Sequence, residues 1–448
     1  MTFRWKWGWE LNLQNYVFYA GEVMKNITFK LFSFAILLST ILAACQPAAS
    51  INMAQSNKSR ERNPSAGGDA IKSLVDGNNA FALDLYNTLR SKNGNLILSP
   101  YSISLALAMT YAGARGETEA QMAQTLHFAP QNELHPSFNA LDLKLEKEPS
   151  NSDKDQEPMQ LNIANAVWAE QTFSFLPEFL DTLAVNYGAG VSLADFLNKP
   201  NEERATINNW VSEQTKDKIN NLLPDGSISP DTRMVLVNAI YFKADWLDQF
   251  EANDTGDFPF NLSDSTQVNV PMMGQGMDIP YTQGDGYTAV ELPYAGNTSA
   301  MDIIVPDAGR FEEIESALTS EMFNEITGNM SPTNLMLRLP KFKFESSFGL
   351  SPTLDQMGMV DAFNADLADF SGMTGKKDLY IGDVIHKAYI SVDEEGTEAA
   401  AATAVIMELA TAIMHDVVLV VDRPFIFVIR DTVNGQILFV GRVMNPVQ

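Results

Sequence analysis

The chain has 448 residues, 45% of them hydrophobic, enough to bury a large core in one big domain or two ordinary ones. A formal charge of −26 makes nucleic acid and heparin-like polyanions poor partners, and the lack of repeated long apolar runs excludes a membrane-spanning bundle. The single cysteine, Cys45, rules out an internal disulfide and argues against a cysteine nucleophile.

Near the N-terminus, Met24-Lys-Asn-Ile-Thr-Phe-Lys30 is a short basic region, followed by the apolar run Leu31 to Leu42 and then Ala43-Ala44-Cys45. A dozen apolar residues are too few for a membrane span. Leu42-Ala-Ala-Cys45 resembles a bacterial lipoprotein signal, in which the cysteine is lipidated and becomes the first residue after cleavage. An ordinary secretory signal with a chance cysteine is the alternative. Residues 1–23 precede a possible start at Met24. Cleavage before Cys45 leaves 26 basic against 54 acidic groups, a formal charge of −28. The expected address is the cell envelope, with the chain exported and lipid-anchored to a membrane or lying in the extracellular space. Residues 45–68 then read as the lipidated cysteine and a flexible tether rich in Ser, Asn, Pro and Gly, and residues 69–448 as the folded body.

Along the body, Phe81, Leu85 and Leu89 form the stripe of a first helix ended by Asn93-Gly94. Asn95 to Leu98 is a short strand, and Ile103 to Ala112, apolar nearly all round, a buried helix. Thr118 and Gln121 suggest a capping box. Ile207, Trp210 and Val211 put one face of another helix on the core. Arg233 to Phe242 suits the centre of a sheet buried on both faces. Tyr287–Leu292 and Met301–Val305 flank Ala295-Gly-Asn297 as a hairpin, and Asn434-Gly435 joins Phe425–Val428 to Ile437–Val440 as another. Helices and strands without βαβ alternation predict an α+β fold.

His127, His135, His386 and His415 show no metal-ligand spacing, and there is neither a Gly-x-Ser-x-Gly elbow nor a phosphate-cradling glycine loop. No metal, cofactor or enzymatic activity is expected. The stretch hardest to assign is Thr397 to Ala412, in which seven of sixteen residues are alanine. Alanine content and the recurrence of Val405, Leu409 and Ile413 favour a helix. Thr397 to Ala404, however, has no large apolar anchor, and helix, extended loop and strand all stay open.

The flanks of that stretch carry a resemblance. Ile390-Ser-Val-Asp-Glu-Glu-Gly-Thr-Glu-Ala-Ala-Ala-Ala402 resembles the hinge of the reactive-centre loop of serpins, and Val420-Val-Asp-Arg-Pro-Phe-Ile-Phe-Val-Ile429 resembles the C-terminal signature of that family. The two lie 28 residues apart, counted from Gly396 to Pro424. Blocks at Asn79–Tyr86, Ser99–Ser102, Leu236–Trp246, Leu339–Phe342, Ile385–Ala388 and Gly441–Pro446 resemble family blocks in family order. The resemblance implies a serpin fold of three β-sheets and about nine helices, with an exposed reactive loop at about 394–416. It implies a monomeric inhibitor that traps proteases as a suicide substrate.

The family pattern places the scissile bond at Ala410-Thr411, with Leu409-Ala410 as the alternative register. Alanine there suits elastase-like or subtilisin-like serine proteases; the alternative suits chymotrypsin-like or cysteine proteases. The hinge comprises Glu394, Gly396, Thr397, Glu398, Ala399, Ala400, Ala401 and Ala402. By the strand period of two, Thr397, Ala399, Ala401, Thr403, Val405 and Met407 should share the core-facing side on insertion, and the first to enter are small. Before cleavage Thr397 is expected at the exposed start of the loop, and Gly396 is expected to give the bend its backbone freedom. Where the central sheet opens, the resemblance makes His386 a buried polar hub beside Ser99, Ser102 and Asn238, and pairs Glu394 with Lys341 near Trp246. A binding or chaperone-like protein on the same fold is the competing reading. It is disfavoured because no bulky, charged or proline residue stands at the first core-facing positions of the hinge, Glu398 falling on the outward side.

Overall fold

The computed structural model describes residues 51–147, 159–397 and 415–447, and all of these but Ile51 belong to the compact unit Asn52–Gln448. Ten α-helices occur among the described residues: α1 (Gly68–Leu89), α2 (Pro100–Tyr111), α3 (Gly116–Leu126), α4 (Gln131–Lys147), α5 (Pro177–Tyr187), α6 (Pro200–Gln214), α7 (Phe311–Ala317), α8 (Ser320–Gly328), α9 (Ser351–Gln356) and α10 (Ser371–Thr374). The stripe Phe81, Leu85, Leu89 is buried on α1. Every residue of α2 is buried, and it packs against both sheets; the Ser99 hydroxyl caps it by accepting the Ser102 N–H, with Pro100 in its first turn.

The first sheet has the order β1 (Asn52–Ala54), β4 (Val191–Ala194), β3 (Gln160–Glu170), β5 (Met234–Asp245), β13 (Gly396–Thr397), β12 (Asp383–Val392), β11 (Phe342–Gly349). All of β5 except Lys243 is buried, which is why its run of apolar residues does not alternate. The second sheet has the order β14 (Val417–Val420), β10 (Ser331–Pro340), β7 (Gln267–Gly284), β8 (Tyr287–Pro293), β9 (Ser299–Pro306), β15 (Phe425–Asp431), β16 (Ile437–Val443), β2 (Leu96–Leu98), with β6 (Gly256–Asn261) paired to β7. The two smaller sheets implied by the sequence are continuous here, because the long β7 pairs with β6 and β10 and then, through Tyr281–Gly284, with β8. Both predicted hairpins form, β8 with β9 and β15 with β16, and the positive φ of Gly296, Asn297 and Gly435 turns the chain.

Two local expectations are corrected. Helix α3 begins at Gly116 after Arg115, not at Thr118. The Thr118 hydroxyl instead accepts the Asp369 N–H at 2.9 Å and the Gln121 side chain accepts the Asp361 N–H at 2.8 Å, so the pair that reads as a capping box serves a neighbouring loop. The described part of the tether is also docked. β1 pairs antiparallel with β4 from Asn52↔Leu193 to Ala54↔Val191, which makes it the edge strand of the first sheet. Ser56 and Lys58 bind Asp181 of α5, and Arg60, with a side chain only 10% exposed, binds Asn139, Asp142 and Glu146 of α4 at 2.8, 2.6 and 2.5 Å. Composition marks such a stretch as loop, because its polar residues find their partners only in the folded body.

Candidate functional site

The site is the seam between β5 and β12. The two strands run parallel and pair directly from Asp383↔Val235 to Tyr389↔Tyr241. Beyond that point β13 is wedged between them and runs antiparallel to both, with Gly396↔Asp245 and Thr397↔Ala244 on one side and Thr397↔Val392 on the other. A Cβ on Gly396 would lie 2.2 Å from the Ala244 carbonyl oxygen. Close approach, rather than freedom to bend, is what this position demands.

Thr397 is 1% exposed, so the residue expected at the exposed start of the loop is inside the sheet. Its hydroxyl lies 2.7 Å from the phenol oxygen of Tyr294. Tyr294, fully buried, stacks on Trp246 with centroids 4.7 Å apart and planes 8° apart, and meets Phe242 edge-on at 5.2 Å. The difference from expectation has a plain cause: threonine is small enough to enter a strand position, and Tyr294 supplies the partner its hydroxyl needs there.

The turn that leads into β13 is held mainly through its backbone. Trp246 donates its amide N–H to the Glu395 carbonyl at 2.8 Å and its indole N–H to the Asp393 carbonyl at 3.0 Å, and the Phe250 N–H donates to the Glu394 carbonyl. The Glu394 carboxylate takes Lys341 Nζ at 2.5 Å and the Thr255 hydroxyl at 2.8 Å. Burial pushes the Glu394 carboxyl up, yet these hydrogen bonds outweigh it and hold the group below the usual carboxylate range. Asp393, without such a cation bonded to it, is pushed up by burial.

Halfway along the seam lies a neutral polar row. Asn165 of β3, Asn238 of β5 and His386 of β12 are level across three strands. His386 Nε2 accepts the Ser99 N–H at 3.1 Å, so the proton sits on Nδ1, which donates to Asn238 Oδ1. Asn238 donates to the Ser102 hydroxyl at 2.5 Å and to Asn165 Oδ1; Ser102 in turn donates to Asn165 Oδ1 at 3.0 Å. Ser99 Oγ donates to the Leu438 carbonyl at 2.7 Å. Ser99, Ser102, Asn238 and His386 are 0% exposed, and burial lowers the His386 pKa to about 3. The imidazole is a neutral link between strands rather than an acid or base.

The structure thus brings Ser99, Ser102, Asn238 and His386 into one cluster, and Glu394, Lys341, Trp246, Gly396 and Thr397 into another. Glu398, Ala399, Ala400, Ala401, Ala402, Leu409, Ala410, Thr411 and Cys45 lie outside the described residues. Among the contributors that went unread in the sequence are Asn165, Thr255 and Tyr294. For Asn165 a signal existed, a polar residue inside the strand-like run Leu161 to Trp168. Nothing local marks Thr255 or Tyr294, whose partners lie 139 and 103 residues away. Among the described residues no group of three or more His, Cys, Asp or Glu could hold a metal ion.

Residues 76–446 match the family model described as serpin (serine protease inhibitor). The chain is 42% identical over 375 residues to a leukocyte elastase inhibitor of Xenopus laevis, covering 82% of this chain and 97% of that protein. It is 40% identical over 378 residues to an uncharacterized serpin-like protein of Thermococcus kodakarensis, covering 84% and 86%. The native-state structure of the thermophilic serpin tengpin superposes with a TM-score of 0.76 at 31% identity, covering 88% of this chain and 97% of that one. With its motifs in order, its central seam formed and its relatives matched nearly end to end, this chain belongs to the serpin family.

Proposed function

We propose that this serpin inhibits serine proteases by trapping them as a suicide substrate, with elastase-like or subtilisin-like enzymes as the targets. The observation that carries the reading is β13, a strand already begun between two strands that could part to receive the rest. The protease serine attacks the Ala410 carbonyl, the Ala410–Thr411 amide bond breaks, the new amine of Thr411 takes a proton, and Ala410 stays esterified to the protease. The freed loop then continues β13 down the seam faster than water can cleave the ester.

Extending the register of β13 supports this path. Each residue past Thr397 falls opposite one residue earlier on β5 and on β12, so Thr403 comes level with both Asn238 and His386, on their side of the sheet. An inserted strand separates β5 from β12 by two strand spacings, about 9–10 Å, and breaks the Asn238–His386 contact. In such an inserted strand the Thr403 hydroxyl would serve both orphaned groups. The leukocyte elastase inhibitors among the relatives support the target class.

Incubation with an elastase-like protease and then a denaturing gel test the reading. A stable larger species is expected, and mass spectrometry of the released peptide should find its start at Thr411 or within two residues of it. Clean nicking without a complex would indicate a substrate or a non-inhibitory binding protein. We further propose that the protein is exported and lipid-anchored through Cys45 by a bacterial-type signal. Cys45→Ser should move it to a soluble fraction or leave it unprocessed; unchanged membrane retention with normal cleavage would refute the anchor.

A further inference from the structure

Before cleavage the first side chain of the loop to be buried, that of Thr397, already occupies the sheet interior, and among the described residues one side chain offers it a hydrogen bond. The Tyr294 phenol stands 2.7 Å from its hydroxyl, and the stack on Trp246 and the edge contact with Phe242 fix that ring. The same Trp246 binds the carbonyls of Asp393 and Glu395 through its indole and amide N–H groups. Tyr294 and the turn of the hinge are therefore keyed to one indole. We propose that Tyr294 is the positioning residue for loop insertion: its hydroxyl holds Thr397 in the seam of the uncleaved protein, so that insertion starts from an occupied first position. The inference rests on the inhibitory reading for its consequence, and on the hydrogen bond alone for its cause.

A buried hydroxyl that loses its one partner is costly, whereas replacing both partners by apolar groups of similar shape is nearly neutral. This asymmetry gives the test a signature that a merely structural role does not share. Tyr294→Phe keeps the ring stacked and orphans Thr397; Thr397→Val keeps the strand shape and orphans Tyr294. Each single variant should raise amide hydrogen exchange at residues 396–397 about tenfold, and the double variant should return it close to the wild-type rate.

In the protease assay the fraction of inhibitor that ends as trapped complex should fall in both single variants and recover in the double, with the rate of loop cleavage unchanged throughout. Exchange in both single variants equal to wild type, or a double variant worse than either single, would overturn the proposal. If the wild-type protein traps no protease, the inhibitory reading fails, and the exchange rates still decide whether Tyr294 holds the hinge. Either single variant can lose its fold without removing the test, since the other approaches the same hydrogen bond from the opposite side.

Discussion

The two polar clusters along the seam differ in kind. At the hinge end the contacts are charged, rich in backbone and partly open to water: the side chains of Lys341 and Glu394 are 35% and 16% exposed. At mid-seam they are neutral, with Ser99, Ser102, Asn238 and His386 at 0% and Asn165 half-buried. The Lys341 and Glu394 side chains can exchange a lost partner for water as the strands part, whereas Thr397 and Tyr294 beside them are buried. Asn238 and His386 cannot, and a new polar partner must arrive with the incoming strand. The hinge end is thus built to yield first, and the middle selects which residues of the loop can be accommodated.

The largest expected effect comes from Thr397→Arg, which attacks the hinge end. A guanidinium cannot share the position beside Tyr294, and an unpaired buried charge costs several kcal/mol. About 3 kcal/mol of that cost in the insertion barrier slows insertion roughly 10²-fold, so that deacylation wins and the protein becomes a substrate. Because Thr397 is buried before cleavage, the resting protein should also melt at lower temperature, contrary to what an exposed hinge would give. Gels and thermal melts measure the two arms, and equal trapping would deny the hinge end its leading role.

Acid should strike the middle rather than the hinge. The folded pKa of His386 is about 3, lowered by burial from an ordinary 6.5; His135, on α4 beside Tyr187 and not in the seam, is lowered likewise to about 4. A folded pKa below the unfolded one means that only the unfolded chain takes up the proton. This stability is complete above pH 6.5 and is lost as pH falls from there toward 4 and 3, by up to about 1.4 kcal/mol per pH unit for each histidine. The lowered Glu394 pKa adds its loss only below the usual carboxylate range. Melting temperature against pH for wild type and His386→Gln tests the order: the variant should lose part of the slope between pH 6 and 4. An unchanged slope would remove His386 from the account.

Arg60→Ala probes the far edge of the same sheet and should cost about 1–3 kcal/mol of stability, since Asn139, Asp142 and Glu146 all lose one partner. Denaturant unfolding measures it, and a change within error would make the docked strap incidental. Smallest is Thr403→Val, expected to cost the cleaved, inserted form about 1 kcal/mol while leaving the uncleaved form unchanged. Equal losses in both forms would break the register extended from β13.

Much of the fold was legible because it rests on local pattern. The unbroken apolar run of β5, the all-round apolar α2 and the turns at Gly296 and Gly435 are consequences of periodicity and turn chemistry. The family motifs extended this to polar positions, and Ser99, Ser102, Asn238 and His386 do meet in one cluster. Thr118 and Gln121 misled because side-chain type gives capability, while partner is a property of the packed chain.

The sequence by itself determined the α+β class, the family, the central sheet and the small residues of the hinge, since each is written in composition, period or motif. Only the tertiary structure decided that residues 52–60 form an edge strand and its ties rather than a tether, and that Thr397 lies inside the sheet rather than outside it. It also decided that Gly396 is required by a carbonyl oxygen passing close by. In each case the deciding group, Leu193, Asp142, Tyr294 or Ala244, lies far along the chain. A local pattern can state that a hydroxyl or a guanidinium needs a partner, but only packing brings that partner within hydrogen-bond reach.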